Sequence, residues 1–159
     1  MTVNILIALW FAFIMTLAYI ALNNVTQGHR VFPFQNYDKT DIPYITIDIQ
    51  GYSLNMLVDT GAGVSIISKE VLGVLSYTES SRRVNVSAIT EDSIPAEMVT
   101  IPFSIGKKQF SEDFIVYDKQ NIANFQVLYG ITIHGLLGNE FLENTGCKID
   151  YKNHSITLS

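Results

Sequence analysis

The stretch 57-LVDTGAGVSII-67 decides how the rest of the chain is read. Leu57 and Val58 close an apolar run, Asp59 follows directly, and Thr60-Gly61-Ala62-Gly63 turns at once on small residues. An ionised carboxylate beside apolar strand residues is costly unless a neighbour makes use of it. The two glycines let backbone pack closely or adopt positive φ. The same residues also suit an ordinary turn, because Asx side chains and glycine are common turn formers. What separates a chemical role for Asp59 from a turn role lies outward from the motif, in both directions.

On the N-terminal side, 44-YITIDIQ-50 alternates apolar and polar residues, 51-GYS-53 can turn, and 54-LNMLV-58 returns as a mostly buried strand. That pattern predicts a hairpin delivering Asp59 at its end. Downstream, 84-VNVSAI-89 and 94-IPAEMVTI-101 predict a second hairpin around 90-TEDS-93. A third joins 101-IPFSI-105 to 110-FSEDFIVY-117 through 106-GKKQ-109, and a terminal one joins 147-CKIDY-151 to 154-HSITL-158. Only 139-NEFLENTG-146 reads as a helix, with Asn139 as N-cap and Gly146 as the stop. Short strands with closely spaced turn signals predict an all-β fold: a small closed β-barrel with one short C-terminal helix.

The N-terminal end has a different texture. No charged side chain occurs before Arg30, and residues 3–22 are apolar apart from Asn4 and Thr16. At about 1.5 Å per residue such a segment makes a helix of roughly 30 Å, the thickness of a bilayer's hydrocarbon core. A cleaved signal peptide would normally carry a basic leading region and a small-x-small cleavage site, both lacking here. The expectation is therefore a single-pass transmembrane anchor (or uncleaved signal) over 1–24, a juxtamembrane linker over 25–42 and one folded domain over 43–159. Arg30 and Lys39 lean only weakly toward a cytoplasmic C-terminus, so the side of the membrane stays open.

The chain holds 15 Asp+Glu against 10 Lys+Arg, a net charge of −5. With no basic cluster, nucleic acid is not an expected partner. Cys147 is the only cysteine and the three histidines are scattered, which leaves no intrachain disulfide and no metal site to expect. No cofactor is expected either.

A second feature lies far downstream: 135-GLLGNEFL-142, apolar residues and glycine running into the helical segment. The apolar-Asp-Thr-Gly-Ala core, followed later by Leu-Leu-Gly-x-x-Phe-Leu and the tail 138-GNEFLENTGCKIDY-151, resembles the retropepsin-like aspartic proteases. The resemblance spans about residues 43–151. It implies a peptide hydrolase in which two carboxylates share one proton, since like charges about 3 Å apart cannot both ionise. This chain has one Asp-Thr-Gly; Asp92-Ser93-Ile94 lacks the glycine. The resemblance thus implies a homodimer with one catalytic Asp59 from each copy, brought together by a two-fold axis.

By the same carry-over, Thr60, Gly61 and Ala62 support the active-site loop. Leu136, Leu137 and Gly138 form the turn and strand beneath it. Ala88, Ile89, Thr90, Glu91, Asp92 and Ser93 fall at the tip of the flap, the lid expected over a polypeptide substrate. The flap departs from the family in lacking glycine and carrying Pro95. Ala62 stands where pepsin-like relatives commonly have serine, a change that leaves the shared proton harder to lose. The alternative from another class is a membrane-tethered β-barrel that binds peptides without cleaving them. It gives no reason for two carboxylates to face each other.

Overall fold

Alternation in sequence becomes alternation in space along the first hairpin. The computed structural model describes residues 13–16, 31–87, 93–117 and 128–159. In β2 (Tyr44–Ile49) the side chains of Ile45, Ile47 and Ile49 are buried, while Thr46 and Asp48 are exposed. In β3 (Tyr52–Val58) Leu54, Met56 and Val58 face the same core. The two strands pair antiparallel from Tyr44↔Leu57 to Ile49↔Tyr52. Their two-residue loop has Gln50 and Gly51 both at positive φ (55° and 87°), as a type I′ hairpin turn requires. Gln50 is an unusual residue there, and its side chain is tied down at both ends: Nε2 donates to the Ser76 carbonyl and Oε1 accepts from the Ser76 N–H.

The remaining strands complete a closed sheet. They are β4 (Ile66–Ser68), β5 (Thr78–Glu79), β8 (Met98–Ile105), β9 (Lys108–Tyr117) and β10 (Gly135–Leu137), with β6 (Val84–Ser87) and β7 (Ser93–Ala96) forming a separate two-stranded sheet. The large sheet runs β2-β3-β10-β4-β9-β8-β5, and an Asp48↔Ser104 pairing joins β2 to β8. Six strands therefore close into a barrel, with β5 alongside β8. A two-residue loop joins β8 to β9 with only Gly106 at positive φ (59°), the pattern of a type II′ turn.

Two short helices, α1 (Tyr37–Thr40) and α2 (Lys69–Leu72), precede the longer α3 (Asn139–Asn144). The core is closed at the α3 end by an aromatic cluster. Phe103 lies 5.5 Å from Phe110, 5.9 Å from Phe114 and 5.7 Å from Phe141 between ring centroids. Burial of each such ring is worth about 1.5–3 kcal/mol. Phe141 thereby holds α3 against the barrel.

A third sheet is built from the two ends of the unit Val31–Ser159. β12 (Ser155–Thr157) lies between β1 (Val31–Pro33) and β11 (Lys148–Asp150), antiparallel to both. The turn between β11 and β12 is fixed by Asp150, whose carboxylate accepts the backbone and side-chain N–H groups of Asn153. Those hydrogen bonds hold the Asp150 carboxyl below its ordinary range.

Several expectations need correction. The folded unit begins at Val31 rather than residue 43, because β1 pairs with β12 and Phe34 and Ile42 enter the core. Residues 31–42 are thus part of the fold and not a linker. Residues 98–101 continue without a break into β8, so they are not the outer arm of the second hairpin. The N-cap of α3 is Gly138, and Asn139 is its first helical residue. The expected membrane segment over 3–22 lies outside the described residues except for the helical residues 13–16. Among the described residues no helix is long and apolar enough to cross a membrane.

Candidate active site

The topology of three strands creates the site. β10 sits between β3, to which it runs parallel, and β4, to which it runs antiparallel. The loop 59–65 that links β3 to β4 must therefore pass over the C-terminal end of β10, where the chain enters α3. Contacts at this crossing are almost all backbone. Asp59 N donates to the Leu137 carbonyl at 3.1 Å, Asn139 N to Ala62 O at 2.7 Å, and Glu140 N to Gly63 O at 3.1 Å. The fourth is a side-chain acceptor: Gly138 N donates to Ser65 Oγ at 3.1 Å.

These bonds explain why α3 lacks a side-chain cap. The first turn of any helix leaves N–H groups without intrahelical partners. Here the 59–65 loop supplies their acceptors, so loop and helix start satisfy one another. The fit demands glycine at 138. A Cβ there would lie 2.5 Å from the Val64 carbonyl carbon and 2.6 Å from its oxygen, closer than backbone tolerates. Leu136 and Leu137 reach the loop from beneath through the β10 ladder, Leu136↔Leu57 and Leu137↔Val58.

Asp59 leaves the end of β3 half-buried. Its Oδ1 accepts the Gly61 N–H at 2.9 Å, an Asx-type bond that fixes the carboxylate on its own turn. Among the described residues Oδ2 has no hydrogen-bond partner. Thr60 is exposed and lines a shallow cavity of about 160 Å³ with Asn139, Leu142 and Glu143 of α3, with Gly146 and Cys147 after it, and with Ile149 of β11. Burial pushes the Cys147 thiol up to about 11, so it stays protonated and unreactive near neutrality. His134 accepts the Asn55 N–H through Nδ1 at 2.9 Å and belongs to the packing between β3 and the approach to β10.

The profile of the family described as gag-polyprotein putative aspartyl protease matches residues 45–144, from β2 to the last residue of α3. This chain belongs to that family. Among solved structures, the retroviral protease-like domain of Ddi1 from Leishmania major is similar, with a TM-score of 0.51 and 17% identity over 74% of this chain and 88% of that one. At that identity the likeness concerns the fold. No curated protein sequence matches the chain. The aspartyl protease match contains the whole Asp59 loop, β10 and α3; the terminal sheet lies largely beyond it.

Within this protease frame the structure brings Asp59, Thr60, Gly61 and Ala62 together with Leu136, Leu137 and Gly138. Of the flap candidates, Ser93 opens β7 and pairs with Ser87. Ala88, Ile89, Thr90, Glu91 and Asp92 lie outside the described residues.

Two residues near the loop were not anticipated. Ser65 is fully buried, and its hydroxyl donates to Glu112 Oε1 at 3.0 Å while accepting from Gly138 N. Glu112 pairs with Ile101 across the β8–β9 ladder, so its side chain is on the core side of β9 with Phe110 and Phe114. The signal for it was present in 110-FSEDFIVY-117: two consecutive acids in a strand point to opposite faces, so one of them must face inward.

Desolvation raises the Glu112 carboxyl above its ordinary range, opposed by the Ser65 hydrogen bond. The folded state then binds this proton more tightly than the unfolded chain does. Its stabilising contribution is present below the ordinary carboxylate range and is lost as pH rises through the raised value.

Proposed function

We propose that this chain is an aspartic-type endopeptidase that hydrolyses peptide bonds as a homodimer, anchored in a membrane by residues 3–22. Each copy supplies one Asp59, and the two carboxylates share a proton. The ionised member takes a proton from a bound water, while the protonated member polarises the scissile carbonyl. Family membership gives the peptidase class. The observation that carries the finer reading is the mounting of Asp59. Its backbone is pinned to β10 and Oδ1 is engaged by Gly61, on a loop that bears the chain's single Asp-Thr-Gly.

Thr60, exposed at the rim of the cavity between the loop and α3, is positioned to brace a second copy, and the hairpin 84–96 is the lid over substrate. The apolar run 3–22 supports the anchor, which predicts that the protein stays with membranes through alkaline carbonate extraction.

Asp59→Asn in the full-length protein tests the chemistry. Asparagine keeps the Oδ1 acceptor for Gly61 but removes the titratable proton from both copies at once. Peptide cleavage should fall by more than the roughly 10²–10⁴ ascribed to a single general base, with folding intact. Cleavage at the wild-type rate would falsify the assignment. A folded wild type that binds peptides and cleaves none would instead make the chain a binding module.

A further inference from the structure

We propose that Glu112 is a positioning residue for the Asp59 loop, acting through the Ser65 hydroxyl on the backbone amide of Gly138. The inference rests on the protease reading for its catalytic consequence, though the coupling itself is a property of the fold.

The geometry is a three-member relay. A serine hydroxyl has one proton to give and two lone pairs. The Gly138 N–H at 3.1 Å can only donate, so it takes a lone pair of Ser65 Oγ. The serine proton then goes to Glu112 Oε1 at 3.0 Å. With Glu112 ionised this is a charge-assisted bond, roughly twice as strong as its neutral counterpart. It links β9 to the end of the Asp59 loop and, through Gly138, to the platform under Asp59. A serine that is wholly buried has no water to fall back on, so loss of its acceptor is felt directly.

Once Glu112 is protonated, its own O–H can donate to Ser65 Oγ. The direction of the relay is then no longer forced, and the grip on the loop weakens. The groups that set this titration come from every element packed around it. They are Ser65 at the entry to β4, Glu140 of α3, Asp113 of β9 and Arg82 of the β5–β6 connection. Arg82 is held by Glu140 at 2.7 Å, and Asp113 accepts from the Thr100 hydroxyl of β8 at 2.6 Å. All three of these charges are thus already partnered.

Glu112→Gln tests this in the full-length protein, since glutamine preserves shape and acceptor but cannot ionise. Glutamine keeps a neutral hydrogen bond and loses only its charge-assisted part, a difference of about 1 kcal/mol, which predicts a kcat about fivefold lower at pH 7.5, with KM little changed. The wild-type to variant ratio should fall toward one at acidic pH, where wild-type Glu112 is itself neutral. Adding Glu112→Gln to Ser65→Ala should have no further effect, because the relay is already cut.

A second readout does not need activity: the amide NMR shift of Gly138 should titrate in the wild type and not in Glu112→Gln. A ratio that is constant with pH, or a Gly138 amide that titrates alike in both proteins, would overturn the proposal. If the wild type cleaves no peptide, the protease reading fails, and the Gly138 titration still decides whether Glu112 governs the loop.

Discussion

The loop 59–65 and the hairpin 84–96 lie in one fold and are held by opposite means. The loop is tied to β10 and α3 by four backbone donors, with one position where only glycine fits. The two strands of the hairpin pair with each other, Val84↔Ala96 to Ser87↔Ser93, and form a sheet of their own. A two-stranded hairpin alone is marginally stable in water. The difference teaches how the fold divides its labour. On the protease reading proposed above, a reacting group has to be held to a fraction of an ångström, which an over-determined loop provides. On the same reading, a cover that must open can be paired only with itself.

The largest effect is expected where the loop is tightest. Gly138→Ala places a Cβ against the Val64 backbone, which cannot give way as a side chain would. It should cost about 1–3 kcal/mol or unfold the protein, read by thermal denaturation. By contrast, a Cβ at Gly63, in the loop itself, would meet nothing within 4 Å. Gly63→Ala should therefore change stability by less than about 0.5 kcal/mol. Equal losses at the two glycines would mean that close packing at Gly138 is not what holds the loop.

The hairpin supplies an intermediate effect. In hydrogen exchange, the ladder amides of β6 and β7 should open at a free energy well below that of β10, and a peptidomimetic inhibitor should protect them. Protection of β6 and β7 equal to that of β10 without ligand would erase the contrast.

Much of this was legible in the sequence, and the reasons are specific. β2 and β3 are long enough for period-two alternation to show, although the turn falls at Gln50-Gly51 rather than at 51–53, so that Tyr52 and Ser53 belong to β3. The Asp-Thr-Gly and Leu-Leu-Gly segments were visible as motifs, and the structure joins them through the Asp59–Leu137 bond. The elements that escaped are too short for any period to register: 66-IIS-68, 69-KEVL-72 and 78-TE-79.

β1 escaped for another reason. Val31–Pro33 is a strand only because β12, at the other end of the unit, pairs with it. The cap of α3 was misread because its acceptors come from Ala62, Gly63 and Ser65, distant in sequence, where a local rule expects a side chain at the helix start. Glu112 shows the same limit: its inward face is implied by the paired acids, but its partner Ser65 is set by tertiary structure alone.

The central claim is that two copies each contribute one Asp59 to a single site. The most direct measurement mixes wild-type protein with Asp59→Asn at fixed total concentration, after allowing subunits to exchange, and follows cleavage of one peptide. If a competent site needs a carboxylate from both copies, activity should follow the square of the wild-type fraction, falling to about one quarter at equal amounts. Activity that falls linearly, to about one half, would mean that each chain works alone, and would contradict the account.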